Sequence, residues 1–357
     1  MKHHLILTID YELFGNGSGC LNHCVTAPTE TCLQTLKKYT AELAFFADAT
    51  EFKALASYPE IFGQGMQAVE TQLVDALNDG HTLQLHIHPQ WLGASYENGV
   101  WQLDLSKWRI GDLTQDDINR CVAEGLEYLN GIAARSRSDK GQNCKVFRAG
   151  GWAVQPGAKV LAALQQCGVE MESTVAPGAY NPARGDWFDF RRSPDLPFWP
   201  VREEVCVAVN SDIDNGIASL MEVPITTAKV GKLKHFKSLR EHRKLPGLPE
   251  GCVGSYDGPN SRWQNYLGKL NKLLRMGTVM LDFSTMPGWM LVEITRQHQW
   301  VNRARELPIP IVAIGHNKNF TAKSNENLVY WLDWVADQPD IQFSSYDKWQ
   351  KAFREVS

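Results

Sequence analysis

Short apolar runs alternate with amphipathic stretches along this chain, and that alternation restricts it to a parallel barrel or a wound α/β sheet. Strand-like runs occur at 5–12, 81–88, 144–147, 169–174, 220–224, 278–283 and 309–314. Helical periodicity falls between them. Over 29–46, Leu33, Leu36, Leu43 and Phe46 recur at near-3.6 spacing. Over 66–79, Val69, Leu73 and Leu77 share a face, and Gly80 stops the helix. Further helices are predicted over 114–136, N-capped by Thr114, over 156–168, closed by Gly168, and over 325–337. Residues 15–28 read as a loop. Alternation without an internal repeat predicts one domain spanning 1–357, a length α/β barrels commonly reach.

Two of these strands carry chemistry. In His81-Thr-Leu-Gln-Leu-His86-Ile-His88-Pro89-Gln90-Trp91 the apolar residues alternate, so His86 and His88 leave the same face. Two imidazoles converging from a strand end are a ready pair of metal ligands, and Pro89 ends the pairing there. The first strand runs from Leu5 to Ile9 into Asp10-Tyr11-Glu12. Asp10 and Glu12 share a face, which suits one carboxylate to a metal and the other to taking a proton.

The motif order Thr8-Ile-Asp-Tyr-Glu12, Gly80-His-Thr-x3-His86-x-His88-Pro89, Phe147-Arg-Ala-Gly-Gly-Trp152 and Ile314-Gly-His316 resembles the polysaccharide deacetylases with a NodB-type domain. The resemblance implies an irregular (β/α)7 barrel that removes acyl groups from amino sugars, with Zn²⁺ or another divalent metal. By position it makes Asp10 the base, Glu12 the acidic metal ligand and His86 the first histidine ligand. The family's second histidine would fall at Gln90, so His88, the nearest substitute on the same face, takes that role. Arg148 matches the arginine that positions the base, and His316 the histidine that protonates the leaving amine. Arg148-Ala-Gly stands where the family often has Arg-x-Pro. Trp91, Gly150, Trp152 and Trp187 are assigned to substrate. Two other readings fit the residues: an amidohydrolase acting on a non-sugar amide, or a carbohydrate-binding barrel without turnover.

Residues 176–202 are rich in aromatics, including Tyr180, Trp187, Phe188, Phe190, Phe198 and Trp199. They suit either a glycan groove or a packed turn. Asp186 or Asp189 could pair with Arg148. A basic insertion near 226–275 carries seven Lys or Arg between 229 and 244, against Glu241 alone. It reads as a solvated face or as a contact to an anionic group. The net charge of −4 argues against nucleic acid as partner, which leaves a small molecule, oligosaccharide or glycolipid. No apolar run suits a membrane span or signal peptide. The eight Cys show no compact framework, so reduced thiols and a cytoplasmic location are expected. Cys20, Cys24 and Cys32 flank His23 without the spacing of a zinc knuckle.

Overall fold

A computed structural model describes residues 2–138, 144–183, 187–209, 220–231 and 278–356, with Leu233, Lys234, Lys237, Ser238 and Glu241. Most of the basic insertion, and Asp186, lie outside the described residues.

The first half of the chain contains β1 (His3–Tyr11), α1 (Ala27–Lys37), β2 (Leu43–Asp48), α2 (Ala49–Ala56), α3 (Pro59–Asn78) and β3 (Thr82–Ile87). A hairpin of β4 (Ser95–Glu97) and β5 (Val100–Gln102) follows, then α4 (Gln115–Ala133), β6 (Val146–Ala149), α5 (Ala158–Gln166) and β7 (Met171–Glu172). Next come the short strands β8 (Tyr180–Asn181), β9 (Phe188–Asp189), β10 (Trp199–Val201), β11 (Leu220–Glu222), β12 (Thr227–Lys229) and β13 (Thr278–Met280). The chain finishes with α6 (Gly288–Val301), β14 (Ile309–His316), α7 (Ala322–Ala336), β15 (Ile341–Phe343) and α8 (Tyr346–Arg354).

One curled sheet has the order β10-β11-β7-β6-β3-β2-β1-β14, with β15 also on β1. Its pairings are parallel except β10 on β11. Closure is irregular. The Thr226 N–H donates to the Val312 carbonyl, and Asp282 forms a lone bridge to Ile314. This is the irregular barrel expected from the sequence.

The pleat sorts the side chains. Leu5, Leu7 and Ile9 join the large cluster under the helices. Ile6, Ala44, Phe46, Val146, Met171, Val223 and Val312 form a second cluster with Tyr346 and Trp349 of α8. That second cluster is the inside of the barrel, floored by the last helix. Polar residues replace these apolar ones toward the strands' C-terminal ends.

Two predicted elements are corrected. The loop read over 15–28 holds a π-helical turn, Leu21–Thr26, that runs straight into α1 at Ala27. The helical pattern over 29–46 divides into α1, which stops at Lys37, and β2, which starts at Leu43. Thr40 takes the left-handed region at the turn (φ 51°). Leu43, Phe45 and Ala47 pack outward while Ala44 and Phe46 pack inward. A strand buried on both faces is apolar throughout, so its residues also fit a helical period. The same ambiguity hides α2, which starts at once after β2.

The thiol expectation also changes. Cys24 is disulfide-bonded, whereas Cys20, Cys32, Cys121, Cys144, Cys167 and Cys206 are free. Among the described residues no helix is long and apolar enough to cross a membrane.

Candidate active site

Strand register assembles the site. Asp10 of β1 lies level with His316 of β14, and His86 of β3 lies level with both Asp48 of β2 and Arg148 of β6. Parallel strands therefore deliver base, ligand and arginine candidates to the same end of the barrel, where such folds keep their chemistry. The side chains are almost sealed from solvent: Asp10 and Glu12 are 3% exposed, His86 1%, His88 4% and His316 8%.

Glu12, His86 and His88 converge. Their ligand-type atoms lie within 4.8 Å of one another. Glu12 Oε2 is 2.8 Å from His88 Nε2 and 3.5 Å from His86 Nε2. Buried polar atoms are nearly always hydrogen-bonded, yet these three have no partner beyond one another. Two imidazole nitrogens and a carboxylate oxygen form the donor set of a three-ligand zinc centre with an open position, so the residues fit a divalent cation. The His86 Nδ1–H donates to the Arg148 carbonyl at 2.8 Å, which leaves Nε2 as the lone-pair nitrogen facing Glu12. The Gln90 amide nitrogen sits 3.0 Å from His88 Nδ1 and 3.2 Å from the Gly15 carbonyl. Gln90 thus stands behind His88, and His88 is the residue brought to Glu12.

Arg148 is fully buried. It donates to Asp10 Oδ1 at 2.6 Å, to Thr8 Oγ1 at 3.0 Å and to the Ser173 carbonyl at 2.9 Å, and its guanidinium lies 4.0 Å over the Phe46 ring. Its carboxylate partner is Asp10. Asp189 is instead held by Arg191 at 2.6 Å, which corrects the pairing of Asp189 with Arg148 considered from the sequence. Asp10 Oδ2 faces His316 Nε2 at 3.5 Å.

Burial alone would raise the Asp10 carboxyl. Arg148, with His86 and His316, outweighs burial and holds it below the ordinary value. Burial would likewise raise Glu12, but Lys318 and His88 hold it well below. For His86, burial favours the neutral ring, and Asp10 and Glu12 reverse that, raising it.

Trp152 and Gly150 frame the site. The Trp152 ring stands edge-on to His316 at 5.9 Å and to Phe188 at 6.1 Å. Gly151 and Trp152 both have φ 57°, and a left-handed tryptophan is a strained conformation of the kind found at functional sites. Trp187 lies under the Arg109 guanidinium at 5.0 Å. Trp91 is 2% exposed and packs on Trp101 at 5.0 Å, inside an aromatic cluster with Tyr58, Phe62 and Tyr96 rather than on an open surface.

Gly150 has no room for a side chain: an added Cβ would fall 2.5 Å from the His88 ring. Gly150→Ala is expected to push His88 off Glu12 and, if the trio holds a divalent cation, to weaken its affinity about 10–100-fold, the usual cost of disturbing a ligand's support. Competition against a fluorescent chelator measures it. An unchanged affinity in the folded variant would separate Gly150 from the cation site.

Several residues here give no signal in the sequence. The Trp108 ring meets His88 at 5.8 Å, and its indole nitrogen lies against Gly151. Fully buried Asp48 caps α2 through Oδ1 and leaves Oδ2 without a partner, its carboxyl raised by burial. Glu51 accepts from the Leu13 N–H at 2.9 Å, which fixes the chain just after Glu12. Lys318 reaches Glu12 Oε1 at 2.6 Å. Among the described residues, the groups able to hold a metal are Glu12 with His86 and His88, and Asp10 with Glu12 and His316. The cysteines around His23 form no such group.

No family model and no curated protein matches the chain. Solved structures do. A protein assigned as a polysaccharide deacetylase from Mycobacterium smegmatis superposes with a TM-score of 0.51 at 12% identity, covering 99% of this chain and 91% of the other. The allantoinase PuuE superposes with a TM-score of 0.51 at 9% identity and the same coverage. At such identity the likeness is one of fold: the chain shares the irregular barrel of these two proteins.

Proposed function

We propose, from this barrel and from what stands at its C-terminal end, that the protein is a hydrolase using a divalent cation, Zn²⁺ by donor set, to remove an N-acyl group from an amino sugar or glycoconjugate precursor. The acyl group is most simply acetyl. The observation carrying this reading is the convergence of three buried atoms, Glu12 Oε2, His86 Nε2 and His88 Nε2, that have no partner beyond one another, beside an Arg148-bound carboxylate and a histidine.

Each residue then has one task. Glu12, His86 and His88 would hold the cation, which when bound lowers the pKa of water and polarises the acyl carbonyl. Asp10, ionised through Arg148, accepts the proton of the attacking water at its free oxygen, Oδ2. Arg148 keeps Oδ1 engaged, so the carboxylate cannot rotate away. His316 gives a proton to the departing amine. Asp10 Oδ2 and His316 Nε2 face each other at 3.5 Å, which suits proton return between them after turnover. Trp152, packed on His316, and Gly150, under His88, would shape the acyl pocket. Trp187, stacked under Arg109, would contribute a sugar-facing ring beside it.

A non-sugar amide is the second reading, favoured by the equal fold likeness to an allantoinase, since fold does not choose a substrate. A cytoplasmic location is supported by the free thiols among the described residues, Cys20, Cys32, Cys121, Cys144, Cys167 and Cys206. The deciding experiment offers N-acetylated chito-oligosaccharides and allantoin to the zinc-loaded protein, with and without chelator. Chelator-sensitive acetate release is expected. Turnover of allantoin alone would move the substrate to the second reading, and turnover of neither would favour a binding barrel.

A further inference from the structure

We infer that Lys318 is a positioning residue that restricts Glu12 to one divalent cation and so keeps Asp10 and His316 free to carry protons. The inference rests on the cation reading above.

The two ligand-type groups at this end of the barrel share Glu12. One adds His86 and His88, the other Asp10 and His316. A carboxylate with both oxygens free can bridge two cations, one on each oxygen, which is the arrangement of two-metal sites. A second cation held by Asp10, Glu12 and His316 would consume the groups that the proposed reaction needs as base and acid.

Glu12 does not have both oxygens free. Oε1 accepts from Lys318 Nζ at 2.6 Å, and Nζ also donates to the Leu13 carbonyl at 2.9 Å. Oε2 alone is left facing the two histidines, 2.8 Å from His88 Nε2 and 3.5 Å from His86 Nε2. The ammonium therefore stands where a cation on Oε1 would stand, and like charges in a nearly dry site repel strongly.

Lys318 is anchored in that place. It sits on the one-turn helix Asn317–Asn319 directly after β14, and its side chain is 13% exposed. Asn317 is fully buried and clamps the turn to β1's end. Its Oδ1 accepts from the Glu12 N–H at 3.2 Å, and its Nδ2 donates to the carbonyls of Glu12 at 3.1 Å and Cys24 at 2.6 Å. The strand that ends in His316 thus carries, two residues on, the cation that guards it.

The test counts metal. Wild type, Lys318→Arg and Lys318→Met are loaded with excess Zn²⁺ and desalted, and bound zinc is measured by mass spectrometry. One equivalent is expected in wild type and in Lys318→Arg. Two are expected in Lys318→Met, the second removed by adding His316→Ala. Excess Zn²⁺ should also inhibit Lys318→Met at concentrations at least ~10-fold below those that inhibit wild type, since Asp10 and His316 become ligands. Circular dichroism checks folding, and Lys318→Gln replaces a methionine variant that does not fold. Two equivalents in wild type or Lys318→Arg, or one in the folded neutral variant, would overturn the inference. No zinc in wild type would instead overturn the cation reading itself.

Discussion

Under the proposed mechanism, Asp10→Asn is expected to keep the divalent cation and lose turnover by about 10²–10⁴-fold, the usual contribution of a positioned general base. The change conserves shape, and an amide oxygen can still accept from Arg148. What disappears is the negative charge that takes a proton at Oδ2. Arg148 and Thr8 hold the replaced side chain in position, so a fall in kcat without a comparable rise in KM is the signature of lost proton transfer. The pH profile adds a second readout. Asp10 lies below the ordinary carboxylate value because Arg148 and the two histidines overcome its burial. The free enzyme's acid limb should therefore fall below that of an exposed aspartate, and the variant should lose it. If Asp10→Asn strips the metal while Glu12→Gln retains it, the two carboxylates have exchanged roles.

His316→Ala is expected to abolish amide hydrolysis while sparing much of any activity toward an aryl acetate. An amine is a poor leaving group until it is protonated, whereas a phenolate leaves unaided. The acid's contribution, again about 10²–10⁴-fold, should therefore appear on one substrate and not the other. The packing favours a clean test. His316 sits at the end of β14 with Nδ1 unpartnered, so no hydrogen bond is lost there on truncation. Trp152 covers its ring, and the cavity left in the variant lies at the mouth of the barrel rather than in its core. Equal losses on both substrates would reassign His316 to binding or support.

The candidate site residues are more legible in the sequence than the framework that brings them together. Period-two patterning shows that Asp10 with Glu12, and His86 with His88, share faces, because pleating is local. Which strands lie side by side is not local. Asp10 opposite His316, and His86 opposite Arg148, are products of sheet order. The helix read over 29–46 fails for a related reason, since doubly buried β2 erases the alternation that marks a strand. Lys318, Asp48 and Trp108 are silent because a lysine, an aspartate and a tryptophan in connecting segments look alike whether they face water or a metal ligand. Trp91 illustrates the reverse. Its place next to the histidine strand suggests a substrate contact, but the Pro89–Trp91 turn carries it back into the aromatic cluster around Trp101.

The pairing of β1 with β14 also sets a timetable. Thr8 Oγ1 bonds the Ala313 carbonyl across 305 residues of chain. The strand that bears Asp10 and leads into Glu12 therefore leaves the ribosome long before β14 and β15, two of the three strands that pair with it, exist. At the reference rate of about 5–20 residues per second, that interval lasts on the order of 15–60 s. Throughout it, a strand whose centre is the apolar run Leu5–Leu7 has one edge unpaired, a condition under which nascent chains aggregate or recruit chaperones. Distant pairings of this kind form slowly even in the finished chain. The same long-range closure that brings base and acid face to face makes this a protein whose yield should depend on how its first strand is sheltered during synthesis.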